Sequence, residues 1–82
     1  MPNYADANRY IIKGDIFYAV SDVDELNDTK YYGYLSAESS WIIEKIIATD
    51  GTVRYVSGHD NYATNYTGRA GLTYDYYDQI WR

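Results

Sequence analysis

Apolar and polar residues alternate through the middle of the chain, which is the pattern of β-strands. Residues 31–35 (YYGYL), 41–49 (WIIEKIIAT) and 52–57 (TVRYVS) each predict a strand because β-branched and aromatic residues dominate them. A short polar loop joins the first two runs. Asp50-Gly51 joins the last two, and both residues tolerate the positive φ of a type I′ hairpin turn. The middle of the chain is therefore predicted to form an antiparallel meander.

The long strand predicted at 41–49 has one charged side chain at the centre of each face. Period-two spacing places Lys45 between apolar residues on one face and Glu44 between apolar residues on the other. This pattern indicates a strand covered on both sides, either by this chain alone or in part by another subunit. A helix over 40–49 is disfavoured by four isoleucines, because β-branched side chains lose χ1 freedom in helices.

The flanking segments are less regular. Residues 9–20 predict either a tight hairpin or one strand bent at a bulge on Gly14, and the acidic segment 21–30 predicts a turn with one helical turn at 24–26. The Gly-, Asn- and Thr-rich residues 58–71 predict a long loop. Residues 72–81 predict a closing strand, with or without a C-terminal turn.

These elements together predict an all-β fold, either a small antiparallel meander or sandwich or a partly open barrel. Residues 1–8 are expected to form an extended N-terminal arm, and residues 9–82 a single small β domain with a long loop near 58–71. A chain of 82 residues buries only ~60–65 % of its unfolded surface. Because there is no cysteine and only one histidine, oligomerisation or docking on a larger assembly is the expected source of further stability.

Charge and hydropathy narrow the range of partners. The formal net charge of −5 opposes binding to nucleic acid, which requires clustered Lys and Arg against phosphates, and it disfavours an anionic membrane surface in the same way. No apolar run approaches the ~20 residues of a membrane span, and the first residues lack the apolar core of a signal peptide. The expected product is a soluble chain made in a cytoplasm.

Candidate chemistry is weak throughout the sequence. The acidic cluster at 22–28 lacks the central glycine and the final glutamate of a calcium-binding EF-hand loop. His59-Asp60 has no nucleophile motif to act on. So small a chain can hardly build a cleft around paired carboxylates. The sequence therefore predicts no enzyme, no catalytic or metal-binding residues and no cofactor, and a small-molecule ligand is not expected.

Tyrosine is the most unusual component of the chain, with 12 copies against one phenylalanine. Its apolar ring and polar tip suit surfaces that become buried on contact with a partner. Protein assembly is the favoured interpretation, because it also explains the marginal core. The alternative is a small carbohydrate-binding or host-adhesion module, in which aromatic platforms stack on sugar rings and polar residues of the loop 59–67 bind hydroxyl groups.

The order of motifs from residue 31 onward resembles a known group of proteins. The series YYGYL, WII-x-KI, DGTVRYVSG and NY-x-T-x-YTGRAGLTYDYYDQIW is similar to small uncharacterised proteins encoded among the structural genes of tailed bacteriophages. The resemblance covers about residues 31–81, and similar sequences often carry tryptophan where this chain has Tyr66. It implies a virion component of the capsid, the head-tail connector or the tail, and it carries no catalytic residues.

The expected partners are other virion proteins and copies of the chain itself, within a virion assembled after synthesis in the host bacterial cytoplasm. An exposed strand edge near 31–35 or 72–77 could pair with a neighbour by β-augmentation. The aromatic clusters and one arginine supply the predicted core or interface anchors. These anchors are Tyr31, Tyr32, Tyr34, Trp41, Arg69, Tyr74, Tyr76, Tyr77 and Trp81.

Overall fold

A computed structural model describes residues 9–77 as one antiparallel sheet with strand order β1-β2-β3-β4-β5. The strands are β1 (Tyr10–Lys13), β2 (Ile16–Asp24), β3 (Thr29–Ser36), β4 (Ser40–Ile47) and β5 (Thr52–His59), followed by helix α1 (Tyr62–Thr67) and a 3-10 turn (Arg69–Gly71). The sheet curls into a half-barrel, which confirms the all-β prediction. The predicted arm at 1–8 and the anchor Trp81 lie outside the described residues.

Both hairpins that the sequence suggests are present, and only the second differs from its prediction, in the geometry of its turn. Gly14, with φ of 65°, and Asp15 form a two-residue turn between β1 and β2, so the first segment is a hairpin and not a bent strand. The hairpin between β4 and β5 is confirmed, but its loop has four residues, since Ile47 pairs with Thr52. Only Gly51 has positive φ there, so the type I′ turn is wrong.

Strand β2 continues through the segment that the sequence predicts to turn. It shifts register by a bulge between Val20 and Asp22 and then pairs with β3 as far as Asp24, opposite Tyr31. The helical turn expected at 24–26 is therefore wrong over Asp24, which ends the strand. Its carboxylate is tolerated on the sheet because it forms a salt bridge with Arg69.

The long loop expected at 58–71 is also wrong. Strand β5 extends to His59, and α1 occupies the centre of the segment. Tyr62 and Tyr66 lie one helical turn apart and pack on the sheet at Gly33, so a tertiary contact stabilises a helix whose asparagine and threonine residues have low helix propensity.

The expected closing strand is wrong over its described part, residues 72–77. A single bridge joins Asp75 to Tyr55 of β5, with backbone bonds of 2.7 and 2.8 Å. The Tyr77 hydroxyl then approaches the carbonyl oxygen of Ile12 in β1 at 3.5 Å. This segment therefore connects the two edge strands of the half-barrel.

The core lies on both faces of β4, as the apolar residues on each face of this strand predict. Ile42 is fully buried on the inner face with Tyr18, Tyr32 and Tyr34, and Ile43 is fully buried on the outer face. The curled sheet covers the inner face, and the side chains of α1 pack against the outer face. Both covers come from this chain. Within residues 9–77, no helix is long and apolar enough to span a membrane.

Candidate functional site

A buried carboxylate, Glu44, lies at the centre of the inner face of β4. Its Oε1 accepts hydrogen bonds from the Tyr34 hydroxyl at 2.7 Å and from Nη2 of Arg9 at 2.9 Å. Its Oε2 accepts a hydrogen bond from the Tyr55 hydroxyl at 3.0 Å. The guanidinium of Arg9 lies 4.0 Å from the centre of the Tyr32 ring. Because the Glu44 side chain is only 9 % exposed, these donors offset the cost of burying its charge.

The surroundings of Glu44 fix the protonation of its partners. Burial raises the pKa of Tyr34 well above its ordinary value, with Arg9 opposing and Glu44 adding to the shift. Burial and the charge of Glu44 also raise the pKa of Tyr55. Burial alone would lower the pKa of Arg9, but hydrogen bonds to Tyr34 and Glu44 outweigh it and the pKa rises. All three side chains therefore keep their protons near neutral pH and can donate them in hydrogen bonds to Glu44.

This network forms the floor of an open cleft where the half-barrel faces β1. The cleft has a volume of about 380 Å³. Its lining residues are Arg9, Tyr10, Ile11, Ile12, Tyr34, Glu44, Tyr55 and Tyr77. Tyrosine rings and a charged pair therefore line the same cleft.

The outer face of the sheet carries a second aromatic layer. The Tyr62 hydroxyl donates to Oδ2 of Asp22 at 2.7 Å and lies over Gly33, where a Cβ would meet that hydroxyl oxygen at 1.9 Å. Trp41 covers Gly58 on the neighbouring strand in the same way, with a Cβ expected 2.5 Å from its ring. Bare glycines in the strands thus create the space that these rings fill.

Arg69 organises the far end of the outer face. Its Nη2 donates to Oδ2 of Asp24 at 2.7 Å, and its guanidinium lies 4.4 Å from the Tyr66 ring and 5.3 Å from the Tyr31 ring. The Tyr74 hydroxyl donates to the carbonyl oxygen of Arg69 at 2.8 Å. The hydrogen bond from Arg69 lowers the pKa of Asp24. The acidic partner of Arg69 in the structure is therefore Asp24 of the same chain.

Within residues 9–77, an apolar surface is open on the outer side of the β1–β2 hairpin. Tyr10, Ile12 and Phe17 are 59, 54 and 55 % exposed, and we call these three residues the hairpin patch. The rings of Tyr10 and Phe17 stack with their centres 5.5 Å apart. They share a face because Ile11 pairs with Tyr18 and points inward, so the residues next to these two along each strand point outward. Exposed apolar residues that cluster in this way typically mark contact sites.

The structure separates the sequence-predicted anchors into distinct groups. Tyr32, Tyr34 and Trp41 are at most 4 % exposed and act as core residues of this chain. Tyr31, Arg69 and Tyr74 lie together on the outer face.

The remaining described anchors lie near the C-terminal end of the described chain. Tyr77 packs edge-on against Tyr55 with ring centres 4.9 Å apart. Tyr76 is 57 % exposed, and the guanidinium of Arg54 lies 4.1 Å from its ring centre. Tyr76 therefore keeps an accessible surface.

The strand edge predicted at 31–35 is wrong, because β3 pairs on both sides.

Sequence reasoning missed the hairpin patch and the network of Arg9, Glu44 and Tyr55. The signal for the patch is present in the chain, since a turn at Gly14-Asp15 places alternate residues of the two strands on one face. The network has only a partial signal, namely a charged residue amid isoleucines in β4. Its donors come from distant parts of the chain, which no local pattern reveals.

Comparison with protein-family models, curated proteins and solved structures finds no match. Among residues 9–77, no group of three or more His, Cys, Asp and Glu side chains is arranged to hold a metal ion. The candidate site therefore rests on the surfaces of the molecule itself, of which the hairpin patch and the cleft above Glu44 are accessible.

Proposed function

We propose that this protein is a non-enzymatic structural protein of a tailed phage virion, docked on other virion proteins and beside copies of itself. Its place would be the capsid, the head-tail connector or the tail, after synthesis in the cytoplasm of the host bacterium. The motif resemblance over residues 31–81 supports the virion assignment. The hairpin patch is the observation that carries the docking role.

The physical argument for docking is the exposure of Phe17 and its neighbours. Most tyrosines of the described chain are committed to internal packing, whereas the patch has no cover from residues 9–77. Burying apolar surface stabilises a complex by ~25 cal/mol for each Å² removed from water. Aromatic residues at such a centre are typical binding hot spots.

Particles that carry variants of this protein test the proposal. Phe17→Ser removes the centre of the patch, while Leu26→Ser changes an equally apolar residue, 91 % exposed, in the β2–β3 loop. Leu26→Ser should unfold at nearly the wild-type temperature, because that side chain is almost fully exposed. Phe17→Ser should unfold at a somewhat lower temperature, because its ring is only half exposed and stacks on Tyr10, so circular dichroism of the purified variant first establishes that it is folded. We expect the Phe17 variant to be depleted from purified particles and the Leu26 variant to be retained. Full occupancy by the Phe17 variant, or absence of the wild-type protein from particles, would contradict the proposal.

A second candidate function is binding of a carbohydrate in the cleft above Glu44. Its volume of about 380 Å³ is within the range of ~300–1,000 Å³ typical of ligand sites. The placement of sugar-binding groups at 59–67, expected from the sequence, is not favoured, because Tyr62 and Tyr66 pack on the sheet. A glycan array with the wild-type protein and a Tyr55→Phe variant tests this candidate. A flat array would eliminate it.

A further inference from the structure

A groove with an acidic rim adjoins the hairpin patch. It has a volume of about 350 Å³ and runs between the β1–β2 turn and the β3–β4 loop. Its lining residues are Asp15, Ile16, Phe17, Ala19, Leu35, Ala37 and Glu38. Phe17 belongs to both the patch and the groove, so one binding partner could cover both.

The floor and the rim of this groove differ in chemistry. The floor lies on the outer face of the sheet, where Phe17, Ala19 and Leu35 point, while Asp15 and Glu38 stand on the two turns at the same end of the sheet. Within residues 9–77, neither carboxylate forms a salt bridge, and Lys13 does not line the groove. An occupant with an apolar centre and a positive charge at the rim would therefore satisfy both parts.

A second copy of this chain fits the groove poorly. Each copy carries a net charge of −5, so bringing two acidic rims together would be repulsive. The area is also small, because an aromatic side chain offers ~150–250 Å² in total and the three patch residues are only half exposed. Roughly 300–400 Å² on that basis is well below the ~800 Å² per partner of a stable protein pair. The surface suits a short segment better than a folded neighbour.

We infer that the groove receives a short segment of another protein in which apolar side chains lie next to lysine or arginine. This inference rests on the proposed docking function and specifies the chemistry of the partner. The apolar side chains would pack on Phe17 and Leu35, and the cation would lie between Asp15 and Glu38. The charges at the rim would select the partner and set its orientation.

A random twelve-residue peptide library, displayed on a carrier and selected on the purified full-length protein, tests this chemistry. Clones that also bind the Phe17→Ser variant are discarded. We expect the remaining clones to be enriched in lysine or arginine beside leucine, isoleucine or aromatic residues. Survivors without that enrichment, or no survivors, would overturn the inference.

The rim is tested with the consensus peptide from that selection. Two rim contacts of ~0.5 kcal/mol each correspond to roughly a fivefold change in affinity. The double variant Asp15→Asn/Glu38→Gln should therefore bind about fivefold more weakly at low salt, while Asp28→Asn, on the β2–β3 loop, should bind like the wild type. Unchanged affinity in the double variant would overturn the inference.

The combined results of the particle and peptide experiments separate this inference from the proposed function. Depletion of the Phe17→Ser variant from particles without a cationic peptide consensus would leave the docking function standing and remove the inference. Full occupancy of particles by that variant, together with rim-dependent peptide binding, would remove the docking function in particles. It would leave the peptide-binding chemistry of the groove standing. Self-association of the wild type that Phe17→Ser abolishes would place a second copy in the groove and overturn the inference.

Discussion

The Tyr62 hydroxyl lies where a side chain at Gly33 would begin. A Cβ on Gly33 would stand 1.9 Å from that oxygen and 2.9 Å from a ring carbon of Tyr66. The same hydroxyl is held by Asp22 at 2.7 Å, so it cannot move aside without losing a hydrogen bond. The missing side chain in β3 is therefore what allows α1 to pack on the sheet.

Gly33→Ala should destabilise the fold by about 2 kcal/mol, the usual cost of overpacking, because the added carbon displaces Tyr62 and Tyr66 together. Urea unfolding followed by circular dichroism measures the difference. Gly71→Ala is the matched control, since no atom lies within 4 Å of the position that a Cβ would take there and its φ is not positive. An unfolding free energy that is equal in the two variants would refute the packing of α1 described above.

Removal of the Glu44 carboxylate should be one of the most costly single changes. Glu44→Ala leaves Arg9 without its counter-charge and the hydroxyls of Tyr34 and Tyr55 without an acceptor. Breaking a buried pair costs ~3–5 kcal/mol, and the 35 % exposure of the Arg9 side chain reduces this to about 2–3 kcal/mol. Glu38→Ala on the exposed β3–β4 loop should change stability by less than ~0.5 kcal/mol. Equal stability of the two variants would show that the network contributes nothing.

The salt bridge between Asp24 and Arg69 should weaken in acid. Because Arg69 lowers the pKa of Asp24 in the folded state, the pair stabilises the protein above the unfolded pKa of ~3.9 and loses that contribution as the pH falls through the lower folded value. Asp24→Asn should cost about 1 kcal/mol at pH ~7 and clearly less at pH ~3. Urea unfolding of both proteins at the two pH values measures this, and a cost that stays the same in acid would contradict the assignment.

Five tyrosines that pack within the fold should resist ionisation until the protein unfolds. Burial raises the pKa of Tyr66 to about 12 and raises the pKa of Tyr34, Tyr55, Tyr62 and Tyr74 as well. Each raised pKa adds stability that is fully present below the unfolded value of ~10 and is lost as the pH rises above it. Near-ultraviolet absorbance of tyrosinate should therefore include a late step that coincides with unfolding. A single step near pH ~10, as expected in urea, would contradict this packing.

The parts of the fold that depend on residues close together in the sequence were predictable from it. The alternation in 31–57 indicated the meander and the burial of β4 on both faces, and Asp50-Gly51 indicated the position of a hairpin. The α1 helix was not predictable, because its main support is the packing of Tyr62 and Tyr66 on Gly33, which is distant in the sequence. The turn at Gly51 has four residues and not two for a similar reason, since the register of β4 and β5 sets its length.

For the candidate site, the sequence predicted the presence of contact surfaces but not the residues that form them. An excess of tyrosine indicated contact surfaces, but the assignment of individual rings required the fold, which places Tyr32 and Tyr34 in the core and leaves Tyr76 accessible. The hairpin patch includes Phe17, the only phenylalanine of the sequence, which lies outside both tyrosine clusters. Residue type therefore predicted that contact surfaces exist, while the position of the hairpin patch followed only from strand pairing.

Hydroxyl-radical footprinting of the free protein and of assembled particles tests the central claim most directly. In the free protein, Tyr10 and Phe17 should react rapidly, whereas Tyr34 and Trp41 should be protected because they are 2 and 4 % exposed. In particles, Phe17 should become protected while the exposed Leu26 keeps its reactivity. If Phe17 reacts equally in both samples, the hairpin patch is not the docking surface and the proposed function loses its main support.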